Sequence, residues 1–205
     1  MVDNFDKIEN MFYFTEASEI FFHLQVIRRG KDHPDLPSAN KVIKTYYVQS
    51  KEHLNKIKDE VIQLCEMFKA RAYINIAGKD FSSLSKLVNF KLSERIYTGD
   101  FKKIYKIFNT CAGELKSKAT RWIIDIDNAN DEVPVLQWLD RYFSKFEEIN
   151  EDYRPYLCTK IPTKNGFHLI IRSAFNLQEF KESFPNIDVH KNNPTILYIP
   201  KSLDL

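Results

Sequence analysis

TRWIIDIDN, residues 120–128, sets two carboxylates, Asp125 and Asp127, at the end of an apolar run formed by Trp122, Ile123, Ile124 and Ile126. Such a run predicts a buried strand over 120–127, because β-branched and aromatic side chains suit a pleated surface. Residues two apart on a strand share a face, so Asp125 and Asp127 would stand side by side, with Ile124 and Ile126 on the other face. Two carboxylates about 4 Å apart repel by roughly 4 kcal/mol at an effective dielectric of about 20. Partial burial adds a desolvation cost. A divalent cation reverses the sign of that interaction, and Mg²⁺ is usually held by one or two carboxylates together with substrate phosphates. The plain alternative is a strand that ends at Asp127 with both acids in water.

Downstream, TKIPTKNGFHLIIR (159–172) reads as a hairpin with its turn at Pro162–Gly166. On the return strand Gly166, His168 and Ile170 share one face, while Phe167, Leu169 and Ile171 share the other. His168 thus faces away from the apolar side chains, with Lys160 and Lys164 expected nearby across the turn. Gly166 removes a side chain where a ligand comes close. A lysine, a glycine and a histidine on one strand face can grip phosphate oxygens; the alternative is a half-exposed histidine on an ordinary hairpin. Further on, NIDVHKNNPTILYIP (186–200) offers Asp188 after Ile187, then strands near 186–190 and 195–199.

Upstream, residues 18–28 and 41–49 read as strands joined by RRGKDHPDLPSAN, a loop marked by Gly30, Pro34 and Pro37. Ser50 predicts the N-cap of a helix over 51–69, where Leu54, Ile57, Val61, Leu64, Cys65 and Phe68 recur at helical spacing. RAYINIA (71–77) predicts a strand closing a β–α–β unit. Helices are expected near 82–96, 100–112, 133–149 and 177–183, the second with Phe101, Ile104, Tyr105 and Phe108 on one face. Strands mixed with helices, ending in a late hairpin, indicate an α/β or α+β domain.

Composition narrows the function classes. At 205 residues, 43% apolar and 14% aromatic, the chain suits a single folded domain with a real core. No apolar stretch is long enough to span a bilayer, and no N-terminal segment has the signal-peptide pattern. Cys65, Cys111 and Cys158 are too far apart for a Cys-x-x-Cys zinc site and odd in number for a disulfide framework. The expectation is a soluble, cytoplasmic protein with no membrane partner. The net charge is only +2, but its distribution is uneven. Residues 28–51 carry six Lys or Arg against Asp32 and Asp35, and 154–174 carry four and no acid. Between them, 125–152 hold nine acids against Arg141 and Lys145. Basic segments flanking an acidic one suit a site for both metal and polyanion.

The order Asp-x-Asp, then Lys-x-Gly-x-His on a hairpin, then an apolar residue and Asp resembles the archaeo-eukaryotic primase (primase-polymerase) superfamily. WIIDIDN resembles its first motif, KNGFH (Lys164 to His168) its second and NID its third. The match departs at Gly166, where many members carry Ser. The resemblance implies an RRM-like catalytic core with flanking helices. Residues 1–205 would form one primase-polymerase-like domain: an N-terminal αβ module over 1–115 and the RRM-like part over 116–205. It implies that Asp125, Asp127 and Asp188 bind Mg²⁺ or Mn²⁺ for nucleotidyl transfer. His168 and Lys164 would contact the incoming nucleotide's phosphates, and Arg71 with the 28–31 loop would add contacts to nucleotide or template. Implied partners are DNA template and primer, nucleoside triphosphates, and a helicase or accessory replication protein for starting primers. Two other classes fit the same residues: a metal-dependent nuclease, and a non-catalytic RRM-like binder of single-stranded nucleic acid stacking bases on Tyr46, Tyr47 and Tyr73.

Overall fold

A computed structural model describes residues 1–12, 19–33, 39–117, 119–146, 148–149 and 154–203. Pro34 and Pro37 of the expected loop, and residue 18 of the expected first strand, lie outside the described residues. In chain order the elements are β1 (Val2–Asp3), α1 (Phe5–Met11), β2 (Ile20–Arg28), β3 (Lys41–Val48), α2 (Lys51–Phe68), β4 (Arg71–Asn75) and β5 (Lys79–Asp80). There follow α3 (Phe81–Thr98), α4 (Ile107–Glu114), β6 (Trp122–Ile126), α5 (Glu132–Phe143) and β7 (Leu157–Pro162). The chain closes with β8 (Phe167–Ile171), α6 (Leu177–Ser183), β9 (Asp188–Lys191) and β10 (Pro194–Ile199).

The fold is mixed α/β, and its strands form two sheets in which every pairing is antiparallel. The larger sheet has the order β1-β10-β4-β2-β3, with β5 beside the start of β2; the smaller has β7-β8-β6-β9. Residues 122–191 therefore run β6-α5-β7-β8-α6-β9 as two interlocked split β–α–β units, each leaving room for one strand between its own two. The expected β3-α2-β4 unit is likewise split, with β2 lying between its strands. β10, from the 116–205 part of the chain, pairs in the larger sheet between β1 and β4. Local patterning cannot show that pairing, since β10 is apolar enough to suit either sheet.

β6 is central, with β8 on one side and β9 on the other. Both of its faces are covered, so its apolar residues run on instead of alternating. Trp122, Ile124 and Ile126 pack with Val135, Leu139 and Phe143 of α5 and Phe180 of α6. Ile123, with Ile161 and Ile170, joins the main core under α1, α2 and β10. Asn4 ties the sheets together: its buried amide donates to Pro162 O (2.9 Å) on β7 and Ile196 O (3.0 Å) on β10. α2 forms as its sequence predicts. Ser50 Oγ accepts from the His53 N–H at 3.0 Å, and Leu54, Ile57, Val61 and Cys65 are buried against the larger sheet.

Two helical expectations need correction. The stretch 100–112 is broken: Lys103 adopts a left-handed φ of 57°, a single 3₁₀ turn spans Ile104–Lys106, and α4 begins only at Ile107. Its aromatic face is not core, for Phe101 and Tyr105 are exposed. The 133–149 helix ends at Phe143, and Phe146 is exposed. Among the described residues no helix is long and apolar enough to cross a membrane.

Candidate active site

The strand registers of the smaller sheet place three polar side chains in one row. Asp125 on β6 opposes His168 on β8 and, on its other side, Asp188 on β9. Directly opposed residues on neighbouring strands have Cβ atoms about 5 Å apart. His190 opposes Ile123 one step further along, on the same face. Asp127 lies just past the end of β6 and is exposed. This face meets the larger sheet across a cleft of about 430 Å³. Asp125, Asp127, Asp188, His168 and His190 line one side of it, and Arg29, Lys31, Arg71 and Tyr73 line the other.

Asp125 and His168 are coupled. His168 Nε2 lies 3.4 Å from Asp125 Oδ1, and its Nδ1 lies 2.8 Å from the hydroxyl of the fully buried Thr195. When the Thr195 hydroxyl donates to Nδ1, the ring proton sits on Nε2 and faces the carboxylate. The hydrogen bond from His168 holds the Asp125 carboxyl below the usual carboxylate range, against an opposing push from burial. The charges of His168, His190 and Lys31 add to that lowering. Asp125 is thereby kept as an anion, the form that ligates a cation.

Opposite it stands a basic wall. The Arg71 guanidinium forks onto Asp32, Nε to Oδ2 at 2.8 Å and Nη2 to Oδ1 at 2.5 Å, in a mostly buried pair. Arg71 thus lines the cleft, but its fork is taken by a protein carboxylate and anchors the loop after β2. Arg29 Nη1 donates to the Tyr73 hydroxyl at 3.0 Å. Partial burial, with Arg29 and Arg71 nearby, lowers the pKa of Lys31, while Asp32 and Asp125 raise it.

The hairpin differs from expectation in three ways. β8 starts at Phe167, so Lys164 sits in the exposed turn on the rim of the cleft, its ammonium donating to Leu203 O at 2.6 Å. Lys160 faces the other way. It pairs in register with Leu169, lies 3.8 Å from the Phe167 ring centroid and bridges to Glu132, so it takes no part in the cleft. Gly166 is not open to a ligand either: a Cβ there would lie 1.9 Å from Ile126 O and 2.9 Å from Asp127 Cα. The glycine lets the turn close onto the end of β6, and that contact positions Asp127. Ser would be crowded there.

Of the proposed stacking platforms, Tyr46 is buried in the main core and cannot meet a base. Tyr47 is packed among Phe21, His23 and Phe108. Tyr73 does face the cleft. Sequence reasoning missed His190 and Thr195. The period-2 rule that paired Gly166 with His168 also pairs Asp188 with His190, so that signal was present; nothing local points to Thr195.

Three carboxylates and no thiolate form a donor set for a hard divalent cation. Among the described residues, no three potential ligands already converge on one point. Asp188 is turned outward, with Lys181 Nζ 3.5 Å from its Oδ1 and its side chain 74% exposed. An exposed pair of this kind contributes at most about 1 kcal/mol, so turning Asp188 toward Asp125 costs little. The donor chemistry and the register of Asp125 beside Asp188 fit a cation site, with the Asp188 side chain turned away from it. Comparison with family models, with curated proteins and with solved structures finds no match to this chain.

Proposed function

We propose that the chain is a metal-dependent nucleotidyltransferase, the RRM-like catalytic core of a DNA primase-polymerase. The observation that carries the reading is the register row His168–Asp125–Asp188, in one cleft with Asp127 and facing a basic wall. Mg²⁺ or Mn²⁺ held by Asp125, Asp127 and Asp188 would neutralise charge on the attacking and leaving oxygens of an in-line displacement. The remaining parts belong to the chain. As the resemblance implies, His168 and Lys164 would hold the triphosphate, His168 by passing its Nε2–H from Asp125 to a phosphate oxygen once Asp125 binds the cation, and Lys31 and Arg29 neutralise it from the opposite wall. The reaction joins the primer 3′ oxygen to the α-phosphorus of the nucleotide and expels pyrophosphate. DNA template and primer are the macromolecular substrates, and a helicase or accessory replication protein is the partner for starting primers.

Incubating the pure protein with a primed template, dNTPs and Mg²⁺ or Mn²⁺ tests the class. Primer extension supports the proposal. Metal-dependent shortening of the primer makes the protein a nuclease, and a mobility shift without chemistry makes it a binder; either result overturns it.

A further inference from the structure

The face of the larger sheet turned away from α2 carries a polar trough that the proposed chemistry does not use. A hollow of about 570 Å³ opens there, lined by His23 and Gln25 of β2, Asn75 of β4, Asn109 of α4 and the turn through Asn192. It shares Pro194 with the acidic cleft. On its far side it shares Gln25 and Asn109 with a second hollow of about 600 Å³, which ends at Thr45, Tyr105 and Lys106. The two hollows and the cleft thus lie in a row across the sheet, each sharing lining residues with the next.

Its chemistry is unlike that of the cleft. Among the described residues lining the two hollows, Glu114 is the one carboxylate, and it is paired with Lys91. Lys79 is buried and caps α4 by donating to Ala112 O at 2.7 Å. His23 is buried with no partner at Nε2, and burial, with Lys79 nearby, pushes its pKa down to about 4, so it is neutral at pH 7. The amides are only partly engaged. Gln25 and Asn75 each use the NH₂ group in one long contact of 3.4 Å, to Thr45 Oγ1 and Asn192 O. Asn109 uses its carbonyl, which accepts from the Tyr47 hydroxyl. Carbonyls of Gln25 and Asn75 and the NH₂ of Asn109 remain for a ligand.

A floor of neutral amides does not suit phosphate, but it complements base edges, which present donors and acceptors side by side. Tyr105 is 78% exposed at the far end and offers a stacking face, and Lys106 and Lys116 supply positive charge on the rim. We propose that the trough holds the unpaired bases of a single nucleic-acid strand, with Gln25, Asn75 and Asn109 reading base edges and Tyr105 stacking. Its role as the template path into the Asp125 cleft rests on the nucleotidyl-transfer reading; strand binding itself does not.

The test is fluorescence anisotropy with labelled single-stranded homopolymers and a duplex of equal length. The proteins are wild type, Gln25→Ala/Asn75→Ala/Asn109→Ala and Asn109→Ala alone, all without metal or nucleotide. Wild type should prefer single strands to duplex and one base over others by about tenfold for each amide-read base. The triple variant should lose that preference, and Asn109→Ala, altered at an exposed helix position, should lose part of it even if the triple variant fails to fold. Strand binding read without metal or nucleotide does not depend on catalysis, so a failure of the catalytic reading leaves this result standing. Unchanged affinity and preference in folded Asn109→Ala and triple variants, or equal binding of duplex and single strand by wild type, overturns the proposal.

Discussion

His168 Nε2 lies 3.4 Å from Asp125 Oδ1 across neighbouring strands, while its Nδ1 is held at 2.8 Å by the Thr195 hydroxyl. A ring fixed at one nitrogen presents the other at a defined place, close to the acid that the site needs ionised.

Removing the ring should therefore change two things at once. In His168→Ala the Asp125 pKa rises toward the ordinary carboxylate value, because its largest lowering influence is gone. Activity that needs the Asp125 anion falls as pH drops through that pKa, so the acid limb of the pH–rate profile should move to higher pH. Loss of a charge-assisted hydrogen bond to phosphate, about 1.5–3 kcal/mol, should raise KM for dNTP about 10- to 150-fold. Affinity for primer–template should hardly change, since it is spread over many phosphate contacts. Separate titrations of dNTP and DNA check this. A variant that loses DNA affinity but binds dNTP normally would contradict the role given to His168.

Gly166 gives a prediction about the fold. A Cβ there meets the backbone of Ile126 and Asp127, which cannot swing aside as a flexible side chain can. Gly166→Ala should destabilise the protein by about 1–3 kcal/mol, the usual cost of overpacking, and displace Asp127. The urea midpoint measures the first effect, and lost metal-dependent activity in the protein that remains folded measures the second. An unchanged midpoint would contradict the packing described.

His23 governs acid stability. Its folded pKa is depressed to about 4 from an ordinary value of 6.5. The unfolded chain therefore takes up a proton first as pH falls. Its contribution is full above about pH 6.5 and is lost progressively down to about pH 4, on the order of 3 kcal/mol in all. Urea unfolding at pH 7.5 and pH 5 should show a larger loss for wild type than for His23→Gln. Equal losses would mean that His23 is solvated.

Period-2 alternation along a strand fixes which residues share a face. It paired His168 with Ile170, and it set Asp125 opposite Ile124 and Ile126. It could not say what covers a face. Tyr46 looked like a free aromatic but lies under α2, and the His168 face, read as polar, is closed by β10 and the basic wall. The face of Lys160 depends on cross-strand register: from the turn onward Ile161 pairs with His168 and Lys160 with Leu169, so Lys160 shares the face of Leu169 and not that of His168. Thr195 comes from another sheet altogether, so its place beside His168 depends on tertiary packing that no local pattern encodes. The strand–helix order and the Ser50 cap were legible because each depends on neighbours in sequence.

In the proposed reaction Asp125 and Asp188, side by side on β6 and β9, hold the cation for nucleotidyl transfer. The direct measurement is incorporation of a labelled dNTP into a primed template at saturating Mg²⁺ or Mn²⁺, for wild type, Asp125→Asn and Asp188→Asn, with folding confirmed by thermal melts. Wild type should show metal-dependent extension and each variant a loss of at least about 100-fold, as when an interaction of about 2.7 kcal/mol or more with the transition state is removed. Near-normal extension by either folded variant, or none by wild type with either metal, would contradict it.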